Sequence, residues 1–175
     1  MIKFIAPFAA PFAAALLAAA CATQPPGPMA SAQLTATSGN AVSGSVQFAR
    51  RGDKVMVSGE VRGLKPNGEH GFHVHEKGDC SSGDGMSTGG HFNPDAKAHG
   101  AHDNSEHHAG DLPSLKADAS GIARFNFESA TVSVGSGRAD VIGRGLIVHR
   151  DPDDFKTQPT GNSGPRLACG VVVKG

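Results

Sequence analysis

The segment Ser43–Arg62, SGSVQFARRGDKVMVSGEVR, reads as two β-strands joined by a tight turn. Val55, Val57 and Val61 alternate with polar neighbours, the period of two that sets one face of a strand against a core. Arg51-Gly52-Asp53 supplies the turn between strands at Ser43–Arg50 and Lys54–Arg62. The same pattern recurs outward from this hairpin. Phe125 and Phe127 alternate after a Ser120-Gly121 turn, and further runs lie at Gln33–Thr37, Gly71–Glu76, Leu115–Ala117, Ile122–Glu128, Arg144–His149 and Ala168–Lys174. No long amphipathic helix and no internal repeat is evident. Eight short strands with turn signals between them predict an all-β sandwich or barrel.

Composition agrees. The 175 residues are enough for one domain with a hydrophobic core, and 24 glycines with 11 prolines indicate a loop-rich chain. Formal net charge is zero, so electrostatics give no argument for a nucleic-acid partner, and none is expected. Residues 1–21 read as a secretory signal peptide: Lys3 precedes an apolar run from Phe4 to Ala20 that ends in small residues before Cys21. Pro7 and Pro11 argue against a stable membrane span there. Cys21 leaves two readings open, a lipidated N-terminus anchored to the membrane or ordinary cleavage to a soluble periplasmic protein. Both place the chain outside the cytoplasm. Residues 22–32, rich in proline, read as a tether, with the domain spanning 33–175.

Between Glu76 and about Pro113 the strand pattern stops, and only Met86, Phe92 and Leu112 are large and apolar. So long a loop cannot bury enough apolar surface to offset its own ordering entropy, so something other than a core must hold it. Its glycines do not form a phosphate loop, because the lysine and the strand-to-helix context are missing. Histidine is the better clue: all nine lie between His70 and His149. His73 and His75 share one face of a strand, with Phe72 and Val74 on the other; alone, such a pair is equally open to a structural and a metal-binding reading. His91, His99, His108, Asp111 and His149 follow at isolated positions rather than in a tract. His108 and Asp111 are three apart, close enough for one turn to aim both at a single ion, and nitrogen ligands with one carboxylate suit zinc. His107 is a one-residue slip from His108, and the spacing to Asp111 favours His108.

The ordered segments GFHVHEKGDC, GGHFNP, HHAGDLP, LIVHRDPDD, KTQPTGN and GPRLACGVV resemble the Cu/Zn superoxide dismutases, specifically the secreted bacterial branch, from about Leu34 to Val173. The resemblance implies an eight-stranded Greek-key, immunoglobulin-like sandwich or flattened barrel with long metal-binding and electrostatic loops. It implies one copper per chain on His73, His75, His91 and His149, and one zinc on His91, His99, His108 and Asp111, with His91 shared. Asp153 is the implied carboxylate hydrogen-bonded to His73 and His99, Arg166 the implied anion-docking residue beside copper, and Cys80 with Cys169 the implied disulfide. The implied reaction converts superoxide to oxygen and hydrogen peroxide as copper alternates between two oxidation states, with His91 passing a proton to the nascent peroxide and the cell envelope as the protected compartment. Monomer and homodimer both remain open. His70 and His102 read as structural and solvated residues, and Lys156 as a solvated or steering charge. A metal-storage module on the same sandwich is the rival reading; it would be expected to lack copper ligands or the arginine, and here His73, His75, His91, His149 and Arg166 are all present.

Overall fold

The computed structural model describes Met1 and residues 29–175; the expected leader, Cys21 and most of the expected tether lie outside the described residues. The strands are β1 (Met29–Ala36), β2 (Ser43–Arg51), β3 (Lys54–Arg62), β4 (Glu69–His70), β5 (Phe72–His75), β6 (Leu115–Lys116), β7 (Ala123–Ser129), β8 (Gly145–His149), β9 (Arg166–Val171) and β10 (Val173–Lys174). All eight expected strands are present. β4 is an addition, pairing only with β6, and the last expected strand divides into β9 and β10 where Val172 turns inward, fully buried.

The main sheet runs β5-β8-β9-β1-β2-β3-β7, all antiparallel, with β10 beside β1. β1 is the corner that curls it: Met29–Leu34 pair with β2, while Thr35 and Ala36 pair with β9. The chain then crosses between the two halves, from β3 to β5 and from β7 to β8, as a Greek-key sandwich requires. The domain boundary needs one correction. β1 starts at Met29, four residues before Gln33 and inside the expected tether, because Ala30, Ala32 and Leu34 alternate into the core. Alanine carries little strand signal of its own, so this extension was hidden.

The core lies between the halves. Val46 and Phe48 from β2, Val55, Val57 and Val61 from β3, and Phe72, Val74, Leu146 and Val148 from β5 and β8 are all essentially inaccessible. Burying each such side chain stabilises the fold by about 1.5–3 kcal/mol. Phe72 also meets Phe125 edge-on, ring centroids 5.4 Å apart.

Two features aim the core towards a site. The long loop is laid along the outer edge of β5: Val74 N–H donates to Gly110 O, Phe92 N–H to Val74 O and Gly110 N–H to Phe92 O. A side chain at position 110 would overlap Val74 O, so this close approach requires glycine. On the other side of β5, the β8–β9 register slips by one residue after the Val148–Ala168 pair, which sets His149 opposite Arg166. Among the described residues no helix is long and apolar enough to cross a membrane.

Candidate metal centre

His73 and His75 project from the face of β5 opposite to Phe72 and Val74, and both are fully buried. β8 contributes His149, and the loop segment bridged to β5 contributes His91, whose ring stacks on His73 at 3.9 Å between centroids. These four histidines form one cluster. His91, His99, His108 and Asp111 form a second, and in each the ligand-type atoms lie within 4.8 Å of one another. His91 belongs to both. His107 lies in neither: its Nδ1 turns to the His108 carbonyl at 2.7 Å, so the structure brings His108, not His107, to the cluster. His102 faces the Asp111 and Glu128 carbonyls, outside both clusters, and Lys156 is exposed.

The hydrogen bonds behind the rings decide which nitrogens face inward. Asp153 accepts from His73 Nε2 at 2.6 Å and from His99 Nε2 at 2.9 Å. His75 Nδ1 donates to Gly89 O at 2.9 Å and His149 Nδ1 to Gly164 O at 3.0 Å. With those protons assigned, His73 Nδ1, His75 Nε2 and His149 Nε2 carry lone pairs directed into the first cluster. His75 Nε2 and His149 Nε2 lie only 3.4 Å apart, lone pair towards lone pair. His73 Nδ1 and His91 Nε2 are buried with no hydrogen-bond partner, while His99 Nδ1 lies 3.1 Å from Asp111 Oδ2. In the second cluster His108 Nδ1 lies 3.4 Å from His91 Nδ1 and 3.3 Å from Asp111 Oδ1. Buried acceptors left unpaired and turned on one another are costly in a closed protein and fitting around cations. The residues present therefore fit one imidazole-only metal site and one with three imidazoles and a carboxylate, joined through His91.

Electrostatics reinforce the division. Burial pushes His73, His75 and His149 below the ordinary histidine value of 6.5, and His91 to about 4. The charge of Arg166 lowers His75 and His149 further, which puts the guanidinium beside the all-histidine cluster. For His99, burial is outweighed by the Asp111 and Asp153 carboxylates, which raise it to about 9. Burial likewise opposes ionisation of Asp111 and Asp153, yet the histidine hydrogen bonds hold both well below the usual carboxylate range.

Arg166 is itself pinned. Its Nη1 donates to Gly85 O at 2.7 Å and Thr88 Oγ1 at 2.6 Å, and its Nη2 to Gly89 O at 2.7 Å. Gly89 O thus accepts from both His75 and Arg166. Of the five guanidinium hydrogens, Nε–H and one on Nη2 make no hydrogen bond to the described residues, so two donors stay free. The Cys80–Cys169 disulfide, Cα atoms 5.9 Å apart, ties the same loop to β9 three residues beyond Arg166. Sequence reasoning missed the residues that hold this arrangement: Gly85, Thr88, Gly89, Gly164 and Gln158 contribute main-chain or neutral polar groups that carry no motif of their own.

A curled antiparallel sandwich bearing two histidine clusters joined by one imidazole, with a pinned arginine alongside, defines a protein fitted to hold two metal ions. The sequence profile of the copper/zinc superoxide dismutases matches residues 42–172. A Cu-Zn superoxide dismutase of Paramecium bursaria Chlorella virus 1 is 41% identical over 137 residues, 75% of this chain and 72% of that one. The Cu-Zn superoxide dismutase 2 of Brassica juncea is 44% identical over 142 residues, 77% and 91% of the two chains. The crystal structure of the clock protein EA4 superposes with a TM-score of 0.75 at 39% identity, covering 83% of this chain and 93% of that one. The chain belongs to the copper/zinc superoxide dismutase family. It is an oxidoreductase that uses copper and zinc and converts superoxide to oxygen and hydrogen peroxide.

Proposed function

We propose that His73, His75, His91 and His149 hold copper, that His91, His99, His108 and Asp111 hold zinc, and that His91 is shared between them. The observation carrying this reading is the convergence of buried ligand-type atoms into two clusters, each within 4.8 Å, with His91 in common. Copper supplies the one-electron exchange that superoxide disproportionation needs; zinc, with a single oxidation state, only shapes and holds. The chain's own residues do the rest. The free edge of Arg166 docks the superoxide anion beside His75 and His149, and its three hydrogen bonds to Gly85, Thr88 and Gly89 fix where that anion sits. His91 Nε2, buried and without a partner, is the atom at which a proton is held and passed to the departing peroxide. Asp153 holds the His73 and His99 rings so that neither Nδ1 can turn away.

The N-terminal pattern ending at Cys21 supports export, with a lipid anchor on Cys21 and protection of the cell envelope as the role outside the cytoplasm. Two experiments test these readings. Superoxide consumption by the metal-loaded protein is expected to vanish on His149→Ala and on copper chelation; retention in either case would sink the assignment. Intact mass of the chain recovered from membranes is expected to carry acyl groups on Cys21, and an unacylated, soluble product would refute the anchor.

A further inference from the structure

The loop after β8 grips the long metal-binding loop at a point that is not a metal ligand. Gln158 Oε1 accepts from His99 N–H at 2.8 Å, and Gln158 Nε2 donates to His99 O at 2.9 Å. The same Nε2 also donates to Lys156 O at 3.3 Å, which steadies the amide within its own loop. A carboxamide that meets both main-chain groups of one residue reproduces the paired bonding of an antiparallel strand neighbour. His99 lies in no strand, and among the described residues Gln158 supplies the partners of both its main-chain groups.

The same loop holds the ring of His99. Asp153 Oδ1 accepts from His99 Nε2 at 2.9 Å, and Gly161, in the left-handed region at φ 62°, packs so closely on both groups that a side chain there would overlap them. His99 is therefore fixed at its backbone and at its ring from one segment, with Nδ1 buried, 3.1 Å from Asp111 Oδ2 and turned into the second cluster.

We infer that Gln158 is a positioning residue for the zinc site: its side-chain amide fixes the His99 backbone and so sets how fast zinc leaves. The inference rests on the reading of His99 as a zinc ligand. Gln158 is exposed, so replacing it opens no cavity in the core, and the two hydrogen bonds can be removed without unfolding the domain.

The test uses the protein loaded with both metals and follows zinc transfer to the colorimetric chelator 4-(2-pyridylazo)resorcinol. Gln158→Leu keeps the bulk and deletes both hydrogen bonds; Gln158→Glu keeps the acceptor for His99 N–H and loses the donor. Zinc release is expected to be about tenfold faster in Gln158→Leu and intermediate in Gln158→Glu, the scale typical of groups that orient metal ligands. Copper content and the Tm of the metal-free protein are expected to stay at the parent values. Unchanged zinc release in both variants overturns the inference. So does faster release with a matching fall in the metal-free Tm, which would mark Gln158 as merely structural. His99→Ala separates the two readings: if that variant keeps zinc, the ligand assignment itself is wrong, whatever Gln158 does.

Discussion

Arg166 lies directly across from His149 because the β8–β9 pairing slips by one residue between them. In the register set by Val148 and Ala168, Leu167 would face His149. Irregularities of this kind re-aim side chains beside functional sites. Here the slip brings a guanidinium alongside a histidine cluster, and the loop at Gly85–Gly89 completes its fixation. Arg166→Ala is expected to lower kcat/KM for superoxide about a hundredfold, the usual loss on removing a preorganised charge-stabilising donor. Arg166→Lys should recover only part of this, because an ammonium cannot offer the fork. Stopped-flow superoxide decay with copper and zinc content measured in parallel checks both; full activity in Arg166→Ala would remove the arginine from the mechanism.

Asp153 joins the two clusters through the far nitrogens of His73 and His99. Asp153→Asn keeps the shape but offers one amide oxygen where two carboxylate oxygens accepted. One of the two rings must lose its orientation, and metal affinity is expected to fall roughly 10- to 100-fold. Competition titration with a chelator of known affinity measures the loss, and parent-like binding of both metals would count against the linking role.

The disulfide closes a span of 89 residues and anchors the loop that pins Arg166. In the chain-entropy picture that closure contributes about 4–5 kcal/mol. Cys80→Ser with Cys169→Ser is expected to lower the Tm of the metal-free protein substantially. It should also reduce activity at temperatures where the variant remains folded, because Gly85 and Gly89 lose their tether. A variant with parent-like activity and a lowered Tm would confine the disulfide to stability.

Stability of the metal-free protein should depend on pH in a definite direction. His73, His75 and His149 sit below the ordinary value of 6.5 and His91 near 4, chiefly through burial. For such groups the unfolded chain binds more protons between the two values. Their contribution is whole above 6.5 and is lost as pH falls below it, for His91 down to about 4. His99, raised to about 9, acts oppositely: its contribution is whole below 6.5 and is lost as pH rises through 9. Below 6.5 the His99 contribution no longer changes, so the lowered groups decide the slope and the Tm of chelator-treated protein is expected to fall from about pH 6.5 to about pH 4. A flat profile over that range would contradict the buried-neutral assignment of these histidines.

Much of this was legible in the sequence. The alternation of Val55, Val57 and Val61 marked β3 to the residue, and the period of two placed His73 and His75 on one face with Phe72 and Val74 behind them. The ligand-type residues were identifiable because histidine, aspartate and arginine declare their chemistry by type. What escaped was carried by groups with no type to read. The start of β1 rested on small alanines, the Arg166–His149 alignment on a register slip, and the Gln158 grip on a neutral amide 59 residues from its partner. Between His107 and His108 the sequence offered only spacing; the structure brings His108 into the cluster and turns His107 Nδ1 to the His108 carbonyl.

The sharing of His91 by two metals is the centre of the account, and anomalous diffraction tests it most directly. Crystals of the protein loaded with copper and zinc, measured on either side of each absorption edge, should show two distinct peaks. Copper should be bounded by His73, His75, His91 and His149, and zinc by His91, His99, His108 and Asp111. A single peak, a zinc peak against His107, or a His91 ring that contacts neither metal in the oxidised protein would contradict it.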